Sequence, residues 1–253
     1  GRSPDLLNLL HSLIAPFVLR RTKEEVAPEL PERVETLLPV PLGRKQRQIY
    51  DRYLTRERAR LLHLELENET RERFEVLAAL TRLRQLSLDP ALVDQRYDSV
   101  GSAKIDLLCE HLEQILPLGH KVLVFSQFVA FLERIRHSLD QRGISSLLLE
   151  GKTRNRHAVI DEFQHGDVQV FLISLKAGGV GLTLTQADYV YMMDPWWNPS
   201  VEAQAVNRAH RIGQDRRVNV YRLVAQDTIE EKVCQLQAHK QLLVDSVVGQ
   251  NLG

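Results

Sequence analysis

Residues 168–183 read Val168-Gln169-Val170-Phe171-Leu172-Ile173-Ser174-Leu175-Lys176-Ala177-Gly178-Gly179-Val180-Gly181-Leu182-Thr183. The first seven form a short, nearly continuous apolar run, which is the mark of a strand buried on both faces. The run gives way to three glycines in four positions, which permit φ > 0 and close approach of the backbone to a ligand. Outward from this stretch the pattern repeats. Apolar runs at 122–125, 147–149, 189–193 and 218–224 alternate with amphipathic stretches, one marked by Ile105, Leu108, Leu112 and Ile115 and another by Phe128, Phe131, Leu132, Ile135 and Leu139. A shorter one runs over 156–163. Buried strands alternating with helices predict an α/β lobe over residues 101–226, a doubly wound parallel sheet covered on both faces.

The first hundred residues differ in character. They predict long charged helices over 44–84. Seven arginines and lysines fall within 44–60, against Asp51 and Glu57. That stretch is either a solvated helical hairpin or a basic strip facing nucleic acid. Beyond the lobe, Thr228-Ile229-Glu230-Glu231 has the form of a capping box and starts a final helix over 227–253. The N-terminal Gly1-Arg2-Ser3-Pro4 has neither Met nor an apolar signal core and reads as a fragment boundary.

Composition narrows the function. Among 253 residues, 33 basic and 33 acidic side chains cancel, which excludes a wholesale basic coat but not a local basic groove. Of the basic residues 25 are Arg and 8 are Lys, a bias towards planar, forked recognition of phosphate or carboxylate. Cys109 and Cys234 are too few for a disulfide framework or a four-thiolate zinc site, so no structural metal is expected. No apolar run approaches the ~20 residues that span a bilayer.

In an open parallel sheet, ligands bind outside the carboxyl ends of the strands. After the 168–174 run, the glycine-rich turn offers backbone N–H groups to a phosphate, although its spacing is not that of a dinucleotide fold. Gly151-Lys152-Thr153 imitates the end of a P-loop, but Ser146 stands where the first glycine is required. No strand ends in an Asp-Glu magnesium box, since Asp161-Glu162 lies within a helical pattern. After 189–193 comes Asp194-Pro195-Trp196-Trp197-Asn198-Pro199, stiffened by its prolines, with Trp196 expected to plug the sheet end. In Gln204-Ala205-Val206-Asn207-Arg208-Ala209-His210-Arg211-Ile212-Gly213-Gln214, the spacing predicts Gln204, Arg208 and Arg211 on one helical face. That face suits a polyphosphate, or equally a surface ion-pair helix.

Together these segments resemble the carboxyl-terminal half of the SWI/SNF-type ATPases, the double-stranded-DNA translocases of helicase superfamily two. Leu13-Ile14-Ala15-Pro16-Phe17-Val18-Leu19-Arg20-Arg21-Thr22-Lys23 resembles the family's exit from its first motor lobe. Leu83-Arg84-Gln85-Leu86 with Asp89-Pro90 resembles its LRQ element, and Lys121 to Phe128 the first strand of the second lobe. Ser174 to Leu184 resembles motif V and Gln204 to Gln214 motif VI. The chain departs from the family at Glu150-Gly151-Lys152-Thr153, where Asp-Gly-Ser-Thr is usual, and at Asn207, where Asp is common.

The resemblance implies a RecA-like second motor lobe, with ATP and Mg2+ bound mainly by a first lobe that carries the P-loop and the Asp-Glu box. It implies catalytic roles for Arg208 and Arg211 as arginine fingers, with Gln204 ordering the site. Gly179 and Gly181 would line the nucleotide cleft. Ser126, Gln127, Ser174, Lys176 and Trp197 would face duplex DNA. The partners implied are double-stranded DNA and the first lobe of the same polypeptide, in a monomer at no membrane, within the nucleoid of a bacterium or the nucleus of a eukaryote. Two rivals are a strand-separating helicase of the same superfamily and a non-catalytic interaction module. The Trp-Asn-Pro loop disfavours the first, and retention of Gln204, Arg208 and Arg211 disfavours the second.

Overall fold

A computed structural model of the chain describes residues 30–62, 69–177 and 182–248, with side chains left undescribed at 69–72 and 240–248. The five predicted strands and one more form an all-parallel sheet of six in the order β1-β6-β5-β2-β4-β3. They are β1 (Arg33–Val40), β2 (Val122–Ser126), β3 (Ser146–Leu149), β4 (Val170–Ser174), β5 (Tyr189–Met192) and β6 (Val218–Ala225). The helices are α1 (Arg44–Leu62), α2 (Glu69–Leu88), α3 (Ala103–Ile115), α4 (Val129–Gln141), α5 (Arg156–His165), α6 (Pro199–Val206) and α7 (Ile229–Val248). This is the doubly wound α/β lobe that the sequence implies.

Alternation along the central strands builds the two covered faces. Val122 and Val124 of β2, with Val170 and Leu172 of β4, point to one side and pack on α3 and α4 through Leu108, Leu112, Phe131 and Ile135. Leu123, Phe125, Phe171 and Ile173 point to the other and meet Phe163 of α5 and Ala205 and Val206 of α6. Every residue of β2 and β4 is buried, which accounts for their unbroken apolar sequence. Local signals start the helices. Ser102 accepts the N–H of Ile105 at α3, Asn155 that of Ala158 at α5, and Asn198, followed by Pro199, that of Ser200 at α6.

One strand is absent from the sequence pattern. β1 pairs in register with β6 from Arg33 opposite Val218 to Val40 opposite Ala225, and so supplies the sheet's edge. Its residues alternate between exposed and half-covered up to Val40, as an edge strand's do, with polar Arg33, Glu35 and Thr36 among them. The segment expected to be a helical extension therefore contributes to the sheet, and Val40, Leu88 and Leu92 join the core of the lobe. The helical hairpin of α1 and α2 has its own small core of Ile49, Tyr50, Leu83 and Leu86. Glu57 closes it by accepting from Arg82 Nε and Nη2, each at 2.8 Å.

The capping residues at α7 act one position out of the predicted register. Thr228 Oγ1 accepts from the N–H of Glu230, and Glu231 reaches the N–H of Asp227, which has φ 53°. Glu230 turns inward instead. It is fully buried beside Lys104 of α3, whose Nζ donates to Glu230 Oε2 at 2.6 Å and to the carbonyl oxygens of Met193 at 2.6 Å and Leu223 at 3.0 Å. Burial pushes the Glu230 carboxyl up, and Lys104 opposes that shift. Removing one partner of a buried pair strands the other charge. Lys104→Met should therefore destabilise the chain by about 3–5 kcal/mol, and Lys104→Met with Glu230→Gln should recover much of the loss. Urea unfolding of the two variants checks this; equal destabilisation in both would refute it.

Candidate functional site

The strand order sets where a ligand can enter. From β2 the chain crosses towards β3, whereas from β5 it crosses the other way to β6, and β2 and β5 are neighbours. The crevice outside their carboxyl ends is the switch point at which open parallel sheets bind ligands. Ser126, Gln127 and Phe128 leave β2 there, and Asp194 to Trp197 leave β5.

Asp194, 2% exposed, organises this edge. Its Oδ1 accepts from Ser126 Oγ at 2.5 Å and from the N–H of Gln127 at 3.3 Å, while Oδ2 accepts from Gln127 Nε2 at 2.5 Å. Arg84, at the end of α2, adds the counter-charge. Its Nη2 lies 3.7 Å from Asp194 Oδ2 and donates to the Pro195 carbonyl at 2.5 Å, and its Nη1 donates to Gln127 Oε1 at 3.1 Å. The guanidinium lies 5.1 Å from the Trp197 ring centroid and 5.7 Å from that of Phe128. Burial pushes the Arg84 pKa down and Asp194 opposes this.

This placement separates the residues expected to face DNA. Ser126 and Ser174 are buried, at 0% and 2% exposure, so neither hydroxyl lies at the surface as anticipated. Ser126 is drawn inward by Asp194 and also accepts the N–H of Phe128 at 3.1 Å. Gln127 is half-buried and committed to Asp194 and Arg84. Trp197 is half-buried at Arg84, and Lys176 is exposed on the turn after β4. Trp196 packs against the core beside α6, as expected of a plug.

The second group lies on the next turn. α6 ends at Val206, so Gln204, Arg208 and Arg211 do not share a helical face. The helix gives way to tighter turns: the N–H groups of Arg208 and Ala209 donate three residues back, to Ala205 and Val206. Gly213 at φ 99°, and Gln214 Nε2 donating to the carbonyls of Ala187 and Ala209, fix the reversal. Gln204 and Arg211 are exposed and Arg208 is half-buried; no hydrogen bond joins the three among the described residues. Arg208 Nε and Nη1 are buried without a hydrogen-bond partner among the described residues. Burial, then the charge of Arg156, pushes the Arg208 pKa down. Gly179 and Gly181 lie outside the described residues, between Ala177 and the Leu184 N–H that donates to the Arg208 carbonyl at 2.9 Å.

Sequence reasoning read Arg84 and Asp194 only as parts of longer strings, and it missed Arg156. Nothing in spacing marks a residue whose partners lie 111 positions away, as Pro195 does from Arg84. Among the described residues no helix is long and apolar enough to cross a membrane.

Family models agree with this architecture. The SNF2-related domain matches residues 2–92, and the helicase conserved C-terminal domain matches residues 103–213. The chain belongs to the SNF2 family. It is 36% identical to an uncharacterized ATP-dependent helicase of Mycoplasma pneumoniae, over 95% of this chain and 23% of that protein. It is 37% identical to the mouse chromodomain-helicase-DNA-binding protein 1-like, over 94% of this chain and 27% of that protein. The chain thus spans about a quarter of the length of these relatives. Among solved structures, the Sulfolobus solfataricus SWI2/SNF2 ATPase core in complex with dsDNA superposes with a TM-score of 0.70 at 30% identity, over 96% of this chain and 52% of that one. The C-terminal domain of the same ATPase superposes with a TM-score of 0.69 at 29% identity, over 83% of this chain and 87% of that one. The six-stranded parallel lobe is the RecA-like C-terminal lobe of this family.

In this SNF2 lobe, Arg84 holds both switch-point loops. Arg84→Leu should destabilise the lobe by about 3–5 kcal/mol, as expected when a buried charge loses its partner. Tryptophan emission should shift to the red as Trp197 loses its cover. Unchanged emission together with unchanged melting would show that the loops stand without Arg84.

Proposed function

We propose that the chain is the second motor lobe of an ATP-dependent double-stranded-DNA translocase that remodels protein–DNA complexes. The observation that carries this reading is Arg208. A half-buried guanidinium with two nitrogens unpartnered among the described residues, repelled by a neighbouring arginine, gains from an anion brought against it. Arg208 stays charged despite its depressed pKa, because guanidinium begins so far above neutrality. The exposed Arg211 would reach the same anion from the surface side, with Gln204 beside it.

ATP would supply a phosphoryl group whose transfer spreads negative charge over its oxygens. Arg208 and Arg211 would stabilise that charge across the cleft from the first lobe, which would hold the nucleotide's own phosphates and Mg2+. Gly179 and Gly181 would border the cleft. Lys176, on the exposed turn after β4, would meet a DNA phosphate, with Trp197 beside the groove. Gln127 and the buried Ser126 and Ser174 would set the loops behind that surface. The exposed Arg44, Lys45, Arg52, Arg56 and Arg58 of α1 would add to the basic surface. The lobe alone should turn over ATP negligibly.

In the full-length protein, Arg208→Ala should lower the DNA-stimulated kcat at least ~10²-fold while shifting the KM for ATP much less. Arg208→Lys should rescue poorly, because a point charge lacks the planar fork. A near-wild-type rate, or a loss that only follows unfolding, would remove Arg208 from the mechanism.

The chain should also bind duplex DNA without sequence preference. Because phosphate contacts release counterions, its affinity should fall steeply between roughly 50 and 200 mM salt. Fluorescence anisotropy on two unrelated duplexes measures this, and salt-independent binding would contradict it.

A further inference from the structure

Arg156 takes no part in the chemistry above, and its position is electrostatically poor. It is the first residue of α5, where a cation meets the positive end of the helix dipole. It also lies close enough to Arg208 to depress that residue's pKa. Its one side-chain hydrogen bond among the described residues runs from Nη2 to the carbonyl oxygen of Ala177. Ala177 is buried and directly precedes the glycine-rich stretch 178–181, and exposed Lys176 directly precedes Ala177. At the far end of the same segment, the Leu184 N–H donates to the Arg208 carbonyl at 2.9 Å. Arg156 thus holds Ala177 by its side chain, and Arg208 holds Leu184 by its backbone.

A residue selected for stability alone would be neutral or acidic at the start of α5, which would satisfy the dipole and spare Arg208. A long cationic donor there is explained by its grip on Ala177. We propose that Arg156 is a positioning residue that holds Ala177, so that the adjoining Lys176 is presented to a DNA phosphate and the neighbouring Arg208 to the nucleotide together. The inference rests on the reading of Lys176 and Arg208 given above.

The test is steady-state, DNA-stimulated ATPase activity of the full-length protein carrying Arg156→Met or Arg156→Lys, with thermal melting alongside. Met keeps the apolar stem but loses donor and charge. In Arg156→Met the DNA concentration for half-maximal activation should rise at least ~5-fold and kcat should fall about 10-fold, a misplacement effect, while the KM for ATP moves less. Lys retains one donor for the Ala177 carbonyl and should recover to within ~3-fold of wild type. If Met and Lys behave alike, or if the losses track a lowered melting temperature, Arg156 is only a packing residue and the proposal falls. Lys176→Ala and Arg208→Ala, measured in parallel, separate the two levels. If neither alters DNA activation or turnover, the underlying reading fails. If both respond and Arg156→Met is wild-type, this inference alone fails.

Discussion

The burial of one ammonium group constrains most of this lobe. Lys104 is inaccessible to solvent, and its three donors are consumed by two strand-end carbonyls and one carboxylate. Those acceptors come from the residue that follows β5, from β6 and from the first turn of α7, so one side chain of α3 fixes the relative height of three elements. Residue 194 follows the Met193 carbonyl directly. The position of Asp194, and hence of the Ser126 and Gln127 loop hydrogen-bonded to it, is inherited from a pair that is itself remote from the surface. An unpaired charge at this depth would be far costlier than any surface contact, which makes the arrangement all-or-none.

A second buried charge extends the same logic to the crevice. Arg84 arrives from the end of the helical hairpin and meets Asp194 from the side opposite to Ser126. Charged groups with little solvent must be paired or hydrogen-bonded, and here both Asp194 oxygens find donors, while Arg84 Nε has none among the described residues. The hairpin is thereby coupled to the switch point, although it packs a separate core. Glu57 and Arg82 in turn hold α1 against α2, so the exposed basic face of α1 has a fixed orientation relative to the loops that Arg84 controls.

The central strands were legible in sequence because their burial on both faces leaves a continuous apolar signal. β2, β4 and β5 coincide with predicted runs for that reason, and α3, α4 and α5 coincide with their periodic stripes. β1 was not legible: an edge strand half-open to solvent carries Arg33, Glu35 and Thr36, and its identity depends on pairing with β6, some 185 residues later. The expected helical face of Gln204, Arg208 and Arg211 failed for a related reason. Spacing assumes that the helix continues, whereas Gly213 and the Gln214 amide end it through contacts with Ala187 and Ala209. Candidate site residues were found by type but not by role. Ser126 reads as a phosphate contact until Asp194 is placed beside it, and Arg156 carries no signal until Ala177 is.

The turn bearing Arg208 and Arg211 is held from two directions. On one side the Leu184 N–H donates to the Arg208 carbonyl; on the other, His210 Nε2 lies 2.8 Å from the Pro31 carbonyl, and the Val218 N–H donates to Glu32 at 3.1 Å. Pro31 and Glu32 lead into β1, the strand through which this lobe continues from the residues before it. The arginine turn is thus pinned between the segment that follows the glycine-rich stretch and the entry of the polypeptide into the sheet. The half-buried Arg208 sits two residues from the His210 contact, with Nε and Nη1 unpartnered among the described residues.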